Sequence, residues 1–111
     1  MAFVNLTPHT INLKSVLGEE ITIPASGQVA RVQTSFGQDQ SIMGFPITHT
    51  RLEGVVGLPD PVEGFTFIVS GMVAQHPSMK DRPDVVAPDT INAIRDNLGN
   101  IMAVRGFLRY S

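Results

Sequence analysis

The sequence predicts a mainly β, single-domain protein with at most short helical turns, on three observations. β-branched and aromatic residues alternate with polar ones in short runs, the two-residue period of a half-buried strand. Proline and glycine punctuate those runs, with 8 Pro and 10 Gly in the chain, so helical spacing is interrupted before a long helix could form. At 111 residues the chain fits one core. Residues 1–111 are therefore expected to form one compact β-rich unit, an antiparallel sheet arranged as a barrel or a sandwich.

Phe3 to Leu6 opens as a strand, Thr7-Pro8 breaks it, and Thr10 to Leu13 resumes with Ile11 and Leu13 on one face. Glu20 to Ile23 follows with Ile21 and Ile23 inward, and Pro24-Ala25-Ser26-Gly27 reverses the chain. In the next strand, Gln28 to Thr34, Val29 and Val32 cannot both face inward in strict alternation. Either Ala30 and Val32 share the core face or a bulge intervenes. Ser35 to Ser41 is polar and contains glycine, and reads as a mobile tip before short strands at Ile42 to Thr48 and Leu52 to Val56.

Leu58-Pro59-Asp60-Pro61 stops pairing. Phe65 to Ser70 reads as a central strand, because Thr66-Phe67-Ile68-Val69 is too apolar for an edge. Gly71 to His76 fits either a helical turn or the strand's continuation, and the three prolines of Pro77 to Pro88 make that segment run largely as loop. Asp89-Thr90 has N-cap chemistry, but Ile91 to Asp96 is too short for a helix without packing. Ala93 to Arg95 and Ile101 to Leu108 are expected to pair as a hairpin across Asp96-Asn97-Leu98-Gly99-Asn100, with Gly99 supplying positive φ.

Charge and composition exclude several classes of function. Lys and Arg number 8 against 10 Asp and Glu, and no basic cluster could track a phosphate backbone, so no nucleic-acid polymer is expected as a partner. The chain has no cysteine, which closes disulfides, thiolate zinc sites, iron–sulfur clusters and cysteine nucleophiles together. The N-terminus Met1-Ala2-Phe3-Val4-Asn5 lacks a basic region followed by an apolar one, and Gly64 to Gln75 is too short to span a bilayer. A cytoplasmic protein with no membrane partner is expected. Only 16% of residues are charged, against about 25% in an average soluble domain. With a mean hydropathy of +0.11, part of the exterior is expected to be covered by another copy, making a homo-oligomer.

No catalytic constellation emerges. The pairs His9-Thr10 and His49-Thr50 invite comparison with phosphodiesterases that use paired His-x-Thr motifs, but adjacent residues of a regular strand point to opposite faces. His76, Asp81, Asp84 and Asp89 match no metal-site spacing and read as solvated groups hydrogen-bonded to loop N–H groups. Ser70 lacks the Gly-x-Ser-x-Gly elbow, and no glycine-rich phosphate loop is present. No catalytic residue, metal or cofactor is expected. The basic residues are nonetheless biased, with six arginines against two lysines, and arginine's planar fork suits bidentate contact with phosphate or carboxylate. Arg105, Phe107 and Arg109 share a face by strand parity, which suits either a base and its phosphates or ion pairs with Asp96 or Asp89.

From end to end the chain resembles a family of small proteins encoded in phages and prophages. The resemblance rests on Asn5-Leu6-Thr7-Pro8-His9-Thr10-Ile11, on Ile23-Pro24-Ala25-Ser26-Gly27 leading to Ala30-Arg31-Val32, and on Gly54 to Pro59. It continues through Ile68-Val69-Ser70 with Val73-Ala74, Arg82-Pro83-Asp84-Val85-Val86-Ala87-Pro88-Asp89-Thr90, Ile94-Arg95-Asp96, Gly99 and Val104-Arg105-Gly106-Phe107. It implies a phage origin and a compact β-rich domain, and supplies no catalytic residue.

A small phage-type protein without catalytic groups suggests an accessory protein of the infected host's cytoplasm. Such a protein would sequester a small anionic, nucleotide-like immune signal without turning it over. The alternatives are a docking or virion-associated module and, third, a phosphodiesterase-like enzyme degrading such a signal. The ligand-binding candidates are Asn5, Thr7 and His9 near the first break, and Arg82, Asp84, Asp89, Thr90, Arg95, Asp96 and Arg105 around the long loop and final hairpin, since binding chemistry concentrates on loops held by a rigid sheet.

Overall fold

The computed structural model describes residues 2–111. A four-stranded sheet forms the centre, built from β1 (Ala2–Asn5), β6 (Phe65–Ile68), β7 (Val85–Pro88) and β10 (Phe107–Leu108) in the order β1-β6-β7-β10. The expected central strand is β6. Its residues alternate between two cores, Phe67 on one face and Ile68 on the other, and β7 does the same with Val85 and Ala87 opposed to Val86. Both faces are covered, which is why the run is apolar without a polar stripe. The first core also takes Leu6, Ala30, Val73 and Met79; the second takes Ile11 and Val104.

The mainly β single-domain architecture is as expected, and the sheets do not close into a barrel. Within the central sheet, however, β1 pairs with β6 and β6 with β7 in parallel, while β7 and β10 are antiparallel. The β6-to-β7 crossover contains one turn of helix, α1 (Gly71–Ala74), and a single 3₁₀ turn at Pro77–Met79. Ser70 caps α1, its side chain accepting from the Val73 amide. No helix among the described residues is long and apolar enough to cross a membrane.

Three two-stranded ribbons surround the sheet: β2 (Ile11–Lys14) with β3 (Glu20–Ile23), β4 (Arg31–Ile42) with β5 (Phe45–Val56), and β8 (Ile94–Arg95) with β9 (Ile101–Ala103). Ile11 and Leu13 share the second core with Ile23, but Ile21 is half exposed, because only the Ile23 end of β3 reaches that core. Ala30 and Val32 do share the core face, and a register shift follows between Val32 and Thr34. Asp89 accepts the amides of Ile91 and Asn92 in a turn that does not become a helix.

Three expectations about chain segments are corrected. Pro77 to Pro88 does not run as loop to its end: Val85–Pro88 is β7, drawn into the sheet between β6 and β10 because Val85, Val86 and Ala87 fill both cores. Ser35 to Ser41 is strand, not a tip: β4 and β5 form one continuous ribbon, 12 residues to each strand, that also absorbs the two short strands read from 42 onward. The reversal falls at Met43-Gly44, both with positive φ (51° and 83°), the pattern of a two-residue type I′ hairpin turn. Composition hid this, because polar residues on a solvated ribbon resemble loop. Ile101 to Leu108 is likewise not one strand. Val104 makes only a bridge to Leu13, a bend follows at Arg105, and β10 leaves to pair with β7. The parity that put Arg105, Phe107 and Arg109 on one face therefore does not hold.

The long ribbon stands out from the body as an arm. The radius of gyration is 16.9 Å with a longest extent of 56 Å, whereas a compact chain of this length has about 13 Å. The base of the arm is clamped at Gly57, where a Cβ would collide with the Val29 carbonyl oxygen. His76 fastens it a second time. The ring accepts the Ser78 amide at Nδ1, so Nε2–H donates to the Glu53 carbonyl at 2.8 Å.

Candidate ligand-binding cleft

Three parallel strands end on the same side of the sheet, and the segments leaving β1, β6 and β7 open around a cleft of about 1070 Å³. This is the side on which open parallel sheets hold ligands, outside the carboxyl ends of the strands. Thr7, His9 and Thr10 come from the segment after β1, Ser70 and Gln75 from the segment after β6, and Thr90 from the segment after β7. The final hairpin and the C-terminal segment close the far side with Asn100, Met102, Leu108 and Tyr110. Among the described residues, no Lys, Arg, Asp or Glu lines the cleft.

Of the ten candidates, Thr7, His9 and Thr90 line it. Four others stand behind it and shape its walls. Asn5 is buried at the end of β1; its amide donates to the carbonyls of His9 (2.8 Å) and Ile23 (3.1 Å). Its Oδ1 accepts the Thr7 amide (3.0 Å) and hydroxyl (2.7 Å). The 5–9 segment is thus an irregular loop tied down by one side chain. Asp89 holds the segment after β7 through the Ile91 and Asn92 amides and the Asn92 side chain.

Arg95 donates to the carbonyl of Thr90 (3.2 Å) and to that of Gly99 (2.8 Å), so one guanidinium joins two segments of the rim. Asp96 accepts the amides of Leu98 and Asn100, and the Asn100 side chain. These bonds to the charged form hold the carboxyls of both Asp89 and Asp96 below the ordinary range, the Asn92 side chain being the largest cause at Asp89 and the Asn100 amide at Asp96.

The other three lie elsewhere. Arg82 and Asp84 sit before β7, at the opposite end of that strand from the cleft. They form a bidentate pair, with Nε and Nη2 each 2.9 Å from a carboxylate oxygen, and Nη2 also donates to the Pro59 carbonyl. The pair raises Arg82 and lowers Asp84 from their usual pKa values, through that hydrogen bond first. Arg105 is exposed at the bend after Val104 and does not line the cleft. His49 lies on the arm in β5.

Sequence reasoning missed Thr10, Ser70, Gln75, Asn100 and Tyr110. For Thr10, the rule that adjacent strand residues face opposite ways fails in the irregular loop, where both His9 and Thr10 reach the cleft. The usable signal was the Asn-x-Thr spacing of Asn5 and Thr7 before a proline, the chemistry of a self-bonded turn. No group of three or more His, Asp or Glu side chains able to hold a metal lies among the described residues. No known family model, curated protein or solved structure matches the chain.

Proposed function

We propose that this protein is a binding protein that sequesters a small nucleotide-like molecule in the cleft at the carboxyl ends of β1, β6 and β7. The observation that carries this reading is a ligand-sized cavity of about 1070 Å³ whose polar side chains are hydroxyls, amides and one imidazole. Small-molecule sites combine an apolar lining with a few convergent polar groups. Here the side-chain amides of Gln75 and Asn100 offer the paired donor and acceptor that a base edge needs, and the hydroxyls of Thr7, Thr10 and Thr90 suit a sugar. Tyr110 adds a ring on which a base can stack. A lining without Lys or Arg leaves the ligand's anionic portion toward the open side, in water.

The same lining supports holding without turnover, since no carboxylate stands in it to orient a base or activate water beside Ser70. The resemblance to phage-encoded proteins supports an accessory role in an infected cell, with the ligand a host signal kept from its receptor.

The test is to purify the protein natively, heat it, and analyse the released small molecules by mass spectrometry, then titrate the recovered compound back by calorimetry. Release of a nucleotide-like compound that rebinds unchanged, and more weakly to His9→Ala and Tyr110→Ala, is the expected result. No retained compound and no binding to a panel of nucleotides at millimolar concentration would overturn the reading; conversion to a product would overturn the absence of turnover.

A further inference from the structure

We infer that the cleft reads the base and sugar of its ligand and leaves the phosphates unrecognised, so that an uncharged nucleoside binds at least as tightly as its own phosphates; this rests on the sequestering role proposed for the same cleft.

Open parallel sheets that bind nucleotides hold the phosphates at the carboxyl ends of their strands, through free backbone amides of the segments that follow. Here such amides are already held by the segments' own side chains. After β1, Asn5 Oδ1 accepts the Thr7 amide, and after β6, Ser70 Oγ accepts the Val73 amide. After β7, Asp89 accepts the amides of Ile91 and Asn92, and on the far side Asp96 accepts those of Leu98 and Asn100. Two of these four acceptors are carboxylates. They stand where an anion would be cradled, and the bonds they accept favour their charged form, so the rim repels a phosphate rather than gripping it.

Arginine does not make up for the filled amides. Arg95 is held by the carbonyls of Thr90 and Gly99. Arg109 stands between Leu108 and Tyr110 in the chain, yet it is not part of the lining that both of its neighbours join. A phosphate drawn inside would shed its water and gain no charge-assisted bond from a side chain in return, so it stays in solvent. The base and sugar gain instead. Ile91 and Met102 are 82% and 57% exposed on the cleft wall, so a flat base that covers them removes apolar surface from water. The side-chain amide of Gln75 lies in the same lining to pair with the edge of that base.

The test is calorimetric titration of the whole protein with adenosine, guanosine, cytidine and uridine, each beside its monophosphate and triphosphate, at about pH 8, where an ordinary imidazole is uncharged. For the base that binds best, the nucleoside and its phosphates should agree within about threefold or favour the nucleoside. Raising salt from about 50 to about 500 millimolar should change each affinity by less than about threefold, because no ion pair is screened. Tyr110→Ala should weaken nucleoside and triphosphate by the same factor, about tenfold, through lost stacking, whereas Arg109→Ala should leave both unchanged. A phosphate bound more than about threefold more tightly than its own nucleoside, or a loss in Arg109→Ala confined to the phosphates, would overturn the inference and leave the sequestering role standing. Binding of none of these probes at millimolar concentration would overturn both.

Discussion

The side-chain amide of Asn5 donates to the backbone carbonyl of His9 at 2.8 Å, so a residue only 1% exposed at the end of β1 fixes the first wall of an open cleft. Replacing Asn5 with Ala leaves the Ile23 carbonyl and the Thr7 amide without their side-chain partner, while the His9 carbonyl keeps the Thr7 hydroxyl (3.0 Å). Orphaned buried groups cost about 1–3 kcal/mol each before relaxation. Asn5→Ala should therefore lower stability by about 3 kcal/mol, a melting temperature drop of more than about 10 °C for a domain of this size. Asn5→Asp keeps the acceptor, loses both donated bonds and buries a charge, and should be no better. Thermal melts of the two variants check this.

Gly57 and Gly64 have the same φ of +84°, but only Gly57 faces backbone: a methyl group there would collide with the Val29 carbonyl, whereas nothing lies within 4 Å of the equivalent position at Gly64. Both Ala substitutions meet the left-handed penalty of about 1–2 kcal/mol. Gly57→Ala must also push apart the base of the arm, and should cost at least about 2 kcal/mol more than Gly64→Ala in urea unfolding. Equal costs would mean that the base yields freely.

The Arg82–Asp84 pair predicts a pH dependence with a definite sign. Hydrogen bonding to Arg82 first, and then its charge, lower the folded pKa of Asp84 below the usual carboxylate value. A carboxyl lowered on folding contributes stability that is fully present above its unfolded pKa of about 3.9 and is lost as pH falls through the lower folded value. Asp84→Asn should thus be destabilised at about pH 7, and its deficit relative to wild type should shrink in acid below about pH 4. A deficit independent of pH would show that the carboxylate charge is not what stabilises the turn.

Arg82 and Arg95 should separate in their effects. Arg95→Lys cannot hold the Thr90 and Gly99 carbonyls with one planar group, so the rim loosens. Ligand affinity should fall about tenfold, the equivalent of one hydrogen bond. Arg82→Lys loses the bidentate contact far from the cleft and should lower the melting temperature with affinity unchanged. Calorimetry and melting curves on the two variants distinguish positioning of the rim from support of the sheet.

What could be read from the sequence was whatever local chemistry decides. The Thr66-Phe67-Ile68-Val69 run announces a strand covered on both faces, Gly99 marks its turn through the need for positive φ, and Asp89 declares its loop bonds. The arm was hidden because its strand residues are polar where no core sorts them, and because the turn residue Met43 takes a positive φ that its side chain gives no reason to expect. The break at Arg105 was hidden for the opposite reason: a distant strand, β7, captures Phe107 and Leu108. In the cleft, the residues that make the walls were legible as polar residues near turns. The exclusion of Arg82 was not, because it depends on which end of β7 the pair occupies.

The parallel pairing of β1 with β6 sets a kinetic order. Asn5 meets Ile68 in the register, so the first strand waits for a partner roughly sixty residues downstream, the kind of distant closure that slows folding. The β4–β5 ribbon closes locally through a two-residue turn, on the microsecond scale of hairpins. On a growing chain, a ribbon that exposes Phe36, Met43 and Phe45 is therefore complete before the strand that seals the centre has been synthesised. Newly made chains should pass through a stage in which these apolar side chains are displayed before any cleft exists, and yield should fall with expression rate more steeply than the stability of the finished body implies.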